Sequence, residues 1–138
     1  MTKENMQLVD RLRDVGLRPT QQRQSLGMLL FSKGNRHVTA ERLHEEAMQA
    51  GVTVSLATVY NTLHQFTDSG LLREVAVEGA RTYFDTNITP HFHFYNEESG
   101  ELIDMPADQV LLENLPEAPA GMEISQVDVT VRITTKQG

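Results

Sequence analysis

The apolar period of this chain changes near Gly70, and nothing else in the sequence limits its fold as strongly. Before that point apolar residues return at helical spacing; beyond it they alternate. Met6, Val9, Leu12 and Val15 predict a first helix over 4–15, closed by Gly16. Pro19-Thr20 opens a second, which runs to about Lys33 and stops before Gly34-Asn35. A third starts at Thr39 and ends at Gly51; a fourth takes Ser55 as its N-cap and ends at Gly70. "LLREVAVEGARTYFD" then reads as strand, turn around Glu78-Gly79, strand. Helices followed by a hairpin are the layout of a winged helix-turn-helix, and the predicted fold class is α+β. Its boundaries fall at 1–86 for the winged-helix domain, 87–90 ("NITP") for a linker, and 91–138 for a small α/β domain.

In the second domain the sequence predicts a hairpin over 91–104, a short helix from Pro106 to about Asn114, a connector "LPEAPAG" and a last strand, "VDVTVRI". There Val127, Val129, Val131 and Ile133 alternate with polar residues, so one face is expected to be buried. Forty-odd residues make only a small core, and this apolar face predicts an obligate homodimer.

Cysteine is absent, which excludes disulfides, thiolate zinc sites and thiol nucleophiles; any metal must be held by nitrogen and oxygen. The longest apolar run is "MLLF", too short for a signal peptide or a membrane span, and a cytoplasmic protein is expected. The net charge is −7, yet residues 1–90 hold ten basic and ten acidic residues, and residues 91–138 hold two and nine. Between Arg11 and Arg36 six basic residues face Asp14 alone. A locally basic face can bind phosphates on an acidic protein, since screening favours near charges.

The fourth helix places Leu56, Val59, Leu63 and Phe66 on one face, for the core. The other carries Ala57, Thr58, Asn61, Gln65 and, to one side, His64, with Tyr60 flanking the core. Small groups and amides suit a helix in the major groove of DNA, where Asn and Gln pair with adenine. An ordinary solvated helix presents such a face too. In "HFHFYNEESGELID", His91 and His93 share one face of a strand. With Glu97–Gly100 as a four-residue loop, His93 stands opposite Asp104, and a slip of one residue would turn Asp104 away. Two imidazoles and a carboxylate suit Fe(II), Mn(II) or Zn(II); a lone H-x-H is more often structural.

"GLRPTQQR", "HVTAERLHEEA", "VSLATVYNTLHQFTDSGLL" and "TYFDTN" occur in the order and spacing of the ferric uptake regulator superfamily. "SLATVYNTLHQFT", "TYFDTN" and "NLPEAPAGMEISQVDVTVRI" resemble its iron response regulator branch, and the resemblance covers roughly residues 8–134. It implies a repressor of haem and iron genes, bound as a dimer to a palindromic A·T-rich operator on double-stranded DNA. By the resemblance Arg18 reaches a minor groove, Tyr60 touches thymine, and Ser55 and Thr58 contact phosphates or bases. Asn61 stands where many relatives have arginine. The resemblance also implies a regulatory metal held by His37, Asp85, His91, His93 and Asp104, with Asp85 in place of the usual glutamate. Asn96 and Ser99 replace a Cys-x-x-Cys, so no structural zinc is expected there, and Pro90 and Phe92 stand where a second metal site would have ligands. Haem sensing through His91 or His93 is implied as well, with haem or a protein that delivers it as a further partner. His44 and His64 match no role and read as surface histidines.

Three alternatives stay open at this stage. One is a divalent-metal regulator without haem sensing. Another is a small 2-His-1-carboxylate iron enzyme, for which the chain offers no general base beside the ligands. The last is a winged-helix regulator with an organic effector, or with none, whose DNA affinity metal and haem leave unchanged.

Overall fold

A computed structural model describes residues 2–77, 79 and 81–137. The chain forms two compact units, residues 1–88 and 89–138. The first contains α1 (Lys3–Asp14), α2 (Gln21–Phe31), β1 (His37–Val38), α3 (Ala40–Gln49), α4 (Leu56–Asp68), β2 (Arg73–Ala76) and β3 (Thr82–Asp85). The second contains β4 (His91–Asn96), β5 (Leu102–Pro106), a single 3₁₀ turn (Ala107–Gln109) and β6 (Thr130–Ile133). Among the described residues no helix is long and apolar enough to cross a membrane.

Each helix of the first unit starts on a hydroxyl. Thr2, Thr20, Thr39 and Ser55 accept the N–H groups of Asn5, Arg23, Arg42 and Thr58, satisfying donors that the helix itself leaves open. α4 is closed just past its Ser69 cap by Gly70, whose φ of 87° lets the Leu71 N–H turn back to the Phe66 carbonyl at 2.9 Å. Leu12, Leu26, Leu30, Leu43, Val59, Leu63, Phe66 and Phe84 are fully buried in one cluster. α1 and α2 approach closely at Gly27, where an added Cβ would lie 2.8 Å from Leu8 Cδ2.

The core face of α4 is rotated from the sequence expectation. Thr62 is buried with Val59, Leu63 and Phe66, while Leu56, expected inside, is 37% exposed at the first helical position. β3 is the middle strand of an antiparallel sheet ordered β1-β3-β2. The turn expected at Glu78-Gly79 lies partly outside the described residues; Gly79 itself has a φ of 78°.

In the second unit β4 is central, antiparallel to β5 and parallel to β6. Two expectations fail here. The helix expected over 106–114 is only the turn Ala107–Gln109, and Leu111, Leu112 and Leu115 stay exposed. A short amphipathic helix needs a surface to cover its apolar face, and this unit supplies none to those leucines. The last strand is four residues long; Val127, Val129 and Ile133 are half-buried and Val131 is exposed, so the expected buried face is only partly covered.

Candidate functional site

The loop Glu97–Gly100 sets the geometry of the β4–β5 hairpin. Asn96 Oδ1 accepts the N–H groups of Glu98 and Ser99 at 2.9 and 3.2 Å. The Asn96 N–H donates to the Glu101 carbonyl at 2.9 Å and closes the ladder. That register puts His93 opposite Asp104 and His91 opposite Pro106. Both imidazoles are buried, their ring centroids 4.6 Å apart. Nε2 of each lies 3.5 Å from Asp104 Oδ1, on a carboxylate side chain that is 38% exposed.

His91 Nδ1 lies 2.5 Å from the Thr89 carbonyl oxygen, which accepts its proton. This tautomer turns the Nε2 lone pair toward the carboxylate. An imidazole nitrogen and a carboxylate oxygen so placed are a donor pair that a metal ion can use. Ligand atoms bound at about 2.1 Å in a tetrahedral shell stand about 3.4 Å apart, close to the spacing found here. The donor set of imidazole and carboxylate fits a borderline divalent cation.

The first unit carries a second pair. His37 opens β1 directly opposite Asp85 at the end of β3, with Nε2 3.2 Å from Oδ2. Asp85 is fully buried, and its Oδ1 accepts the Asn87 N–H at 2.9 Å. A carboxylate so enclosed is kept only with partners. Each unit thus brings together part of the ligand set expected from the sequence: His37 with Asp85, and His91 with His93 and Asp104.

The expected nucleic-acid residues are all on the first unit, in differing states. Arg18 and Asn61 are exposed. The Ser55 hydroxyl serves as the α4 cap and donates to Thr58 Oγ1 at 2.9 Å, so it is already engaged. Tyr60 donates its hydroxyl to Glu41 Oε1 at 2.6 Å. That bond holds the Glu41 carboxyl below its usual range and raises the Tyr60 phenol above its own. Of the basic stretch, Arg36 is bound to Glu46 at 2.6 Å and Arg11 lies over the Phe31 ring at 4.4 Å; neither is a simple solvated charge. His44 is also not a plain surface residue, since its Nε2 lies 3.0 Å from the Val54 carbonyl. His64 is exposed, its ring edge-on to Phe84 at 5.6 Å.

Sequence reasoning gave Glu41 no role and counted Arg23 only as one charge of the basic stretch, without its partner Gln65. Both face partners far along the chain, and no periodic signal marks such pairs.

An α+β chain of this layout, with imidazoles and carboxylates grouped at strand ends, defines a class of two-unit proteins bearing a candidate metal-ligand set. The family model of the ferric uptake regulator family matches residues 14–132, and the chain belongs to that family. Its members are transcription regulators, not enzymes. The chain is 32% identical over 99 residues to the peroxide-responsive repressor PerR of Staphylococcus aureus; the match covers 72% of this chain and 66% of that protein, just under two thirds of its length. It is also similar to the solved ferric uptake regulator of Pseudomonas aeruginosa with manganese, with 28% identity, a TM-score of 0.71, and coverage of 94% of this chain and 98% of that one. The Vibrio cholerae ferric uptake regulator shares the fold, at 24% identity and a TM-score of 0.71, over 92% of this chain and 98% of that one.

Proposed function

We propose that this protein is a metal-responsive transcriptional regulator that binds double-stranded DNA as a homodimer. The observation that carries the metal reading is the pair of imidazoles, His91 and His93, each with Nε2 3.5 Å from one carboxylate oxygen of Asp104. By the family resemblance His37 and Asp85, paired within the first unit with Nε2 3.2 Å from Oδ2, also serve a divalent ion such as Fe(II), Mn(II) or Zn(II). The manganese-bound relative from Pseudomonas aeruginosa supports a divalent ion as the effector.

DNA binding falls to a winged helix-turn-helix in which α4 enters the major groove. Asn61, Thr58, Tyr60 and Ser55 lie along or beside its N-terminal half, and Arg18 reaches an adjacent A·T-rich minor groove. Exposed Leu111, Leu112, Met122 and Ile124 on the second unit support dimerisation there. Two α4 helices related by a two-fold axis read a palindrome.

The finer reading places the protein in the iron response regulator branch, as a repressor of haem and iron genes with haem as an effector or delivered ligand. "SLATVYNTLHQFT" and "NLPEAPAGMEISQVDVTVRI" support that placement. Haem would draw on His91 or His93 and compete with the divalent ion for the same nitrogen. No thiolate is available to assist.

Fluorescence anisotropy of a labelled A·T-rich palindrome tests both levels, using the protein without metal, with Mn(II) and with haem. Response to Mn(II) that disappears in His91→Ala/His93→Ala with the helices intact supports the metal reading. Release by haem supports the finer one. Indifference to both ligands makes the histidine strand structural.

A further inference from the structure

Arg23 stands in the first turn of α2, and its guanidinium is shared between two other segments. Nη1 donates to the Arg18 carbonyl at 2.9 Å, while Nε and Nη2 both donate to Gln65 Oε1, at 3.3 and 3.1 Å. Gln65 is exposed on α4, one turn beyond Asn61. The Arg18 carbonyl accepts a second donor, the Thr20 N–H at 2.8 Å, and Thr20 in turn caps α2 at the Arg23 N–H. A planar, rigid fork is therefore clamped between the loop before α2 and the last turn of α4.

The clamp bears on both elements. Gln65 Oε1 accepts two N–H groups, which occupies both of its lone pairs. Reading adenine with a glutamine needs that oxygen for the N6 amino group and the amide nitrogen for N7. Held by Arg23, Gln65 cannot make that bidentate pair. The backbone that carries Arg18 is meanwhile tied to α4 through a single side chain.

We infer that Arg23 is a positioning residue for DNA recognition: with Gln65 it fixes the Arg18 loop relative to α4, so that minor-groove and major-groove contacts engage in one register. The inference rests on the DNA-binding reading given above. A guanidinium used on a phosphate would have to leave Gln65, so the two roles separate in experiment.

The probe is a labelled duplex chosen by the wild-type protein itself from a random A·T-rich pool. Anisotropy over a salt series then compares wild type, Arg23→Lys, Arg23→Met, Gln65→Met, Arg18→Ala and Arg18→Ala/Gln65→Met, with circular dichroism melting to confirm folding. Gln65→Met keeps volume and helix propensity while removing the acceptor. Expected are losses of about tenfold in affinity for Arg23→Lys and for Gln65→Met, a coupling typical of residues in contact. Their salt slopes stay at the wild-type value, and the cost of Arg18→Ala largely vanishes in the Gln65→Met background. Wild-type affinity in Gln65→Met overturns the inference. So does a loss confined to one base position, which would make Gln65 a base reader. A salt slope lowered by about one in Arg23→Met, with Gln65→Met inert, would make Arg23 a phosphate contact instead. If the wild-type protein selects no duplex, the DNA reading fails, and the inference with it.

Discussion

Replacing Arg36 by Met should expose how the first unit is held together, and in a pH-dependent way. Arg36 Nη1 and Nη2 donate to the two oxygens of Glu46 at 2.9 and 2.6 Å, and Nη1 also donates to the Leu29 carbonyl at 3.1 Å. The fork ties the end of α2 to α3. It is largely enclosed, with side-chain exposures of 17% for Arg36 and 12% for Glu46. Removing one partner of a buried pair costs about 3–5 kcal/mol because the other charge is stranded. Here Arg42 Nε remains 3.2 Å from Glu46 Oε2, and water reaches both side chains, so about 2 kcal/mol is expected at neutral pH.

The fork with Arg36 holds the Glu46 carboxyl below its usual range. A carboxylate depressed in the folded state stabilises above its unfolded value, about 4.3, and loses that contribution as pH falls through the folded value. The gap between wild type and Arg36→Met should therefore narrow on acidification, toward the about 1 kcal/mol of the Leu29 hydrogen bond. Urea unfolding followed at 222 nm is the assay, since among the described residues all four α-helices lie in this unit. A gap that is the same at about pH 6 and about pH 3 refutes the argument, because the charge pair would then not be its source. A gap below about 0.5 kcal/mol at neutral pH does so too, by making this an ordinary surface pair.

Asp104→Asn should weaken Mn(II) binding at least about tenfold while the β4–β5 hairpin persists, as read by isothermal titration calorimetry; unchanged affinity removes Asp104 from the ligand set. Glu41→Gln should bring the Tyr60 phenol back down toward its ordinary range, seen as an earlier phenolate step in an ultraviolet pH titration, because the acceptor that raises it is no longer a charge. Gly70→Ala should cost about 1–2 kcal/mol in thermal unfolding, the penalty of a side chain at a φ of 87°. A variant as stable as wild type would show that the end of α4 relaxes freely.

The local rules were legible and the non-local ones were not. Thr20, Thr39 and Ser55 announced their helices because a hydroxyl ahead of an apolar periodic run has one common use. The pairing of His93 with Asp104 followed from counting a four-residue loop. β1 was invisible, since two residues carry no period. The parallel pairing of β6 with β4 left no trace in either strand, for register across a long crossover is set by packing. Leu56 kept the helical period yet missed the core, for it stands at the first position of α4, while Thr62 joins the buried face. His37 and Asp85 entered only through family likeness; their meeting depends on strands adjacent in space and distant in sequence.

The central place of β4 also orders events in time. Its pairing with β5 requires closing only the loop after Asn96, which a hairpin does on the microsecond scale. Its pairing with β6 must gather everything between Asn96 and Thr130, and loop entropy makes that the later step. His91, His93 and Asp104 all belong to the early hairpin. Those three side chains are therefore expected to meet once the short hairpin closes, before the parallel pairing with β6 completes the sheet.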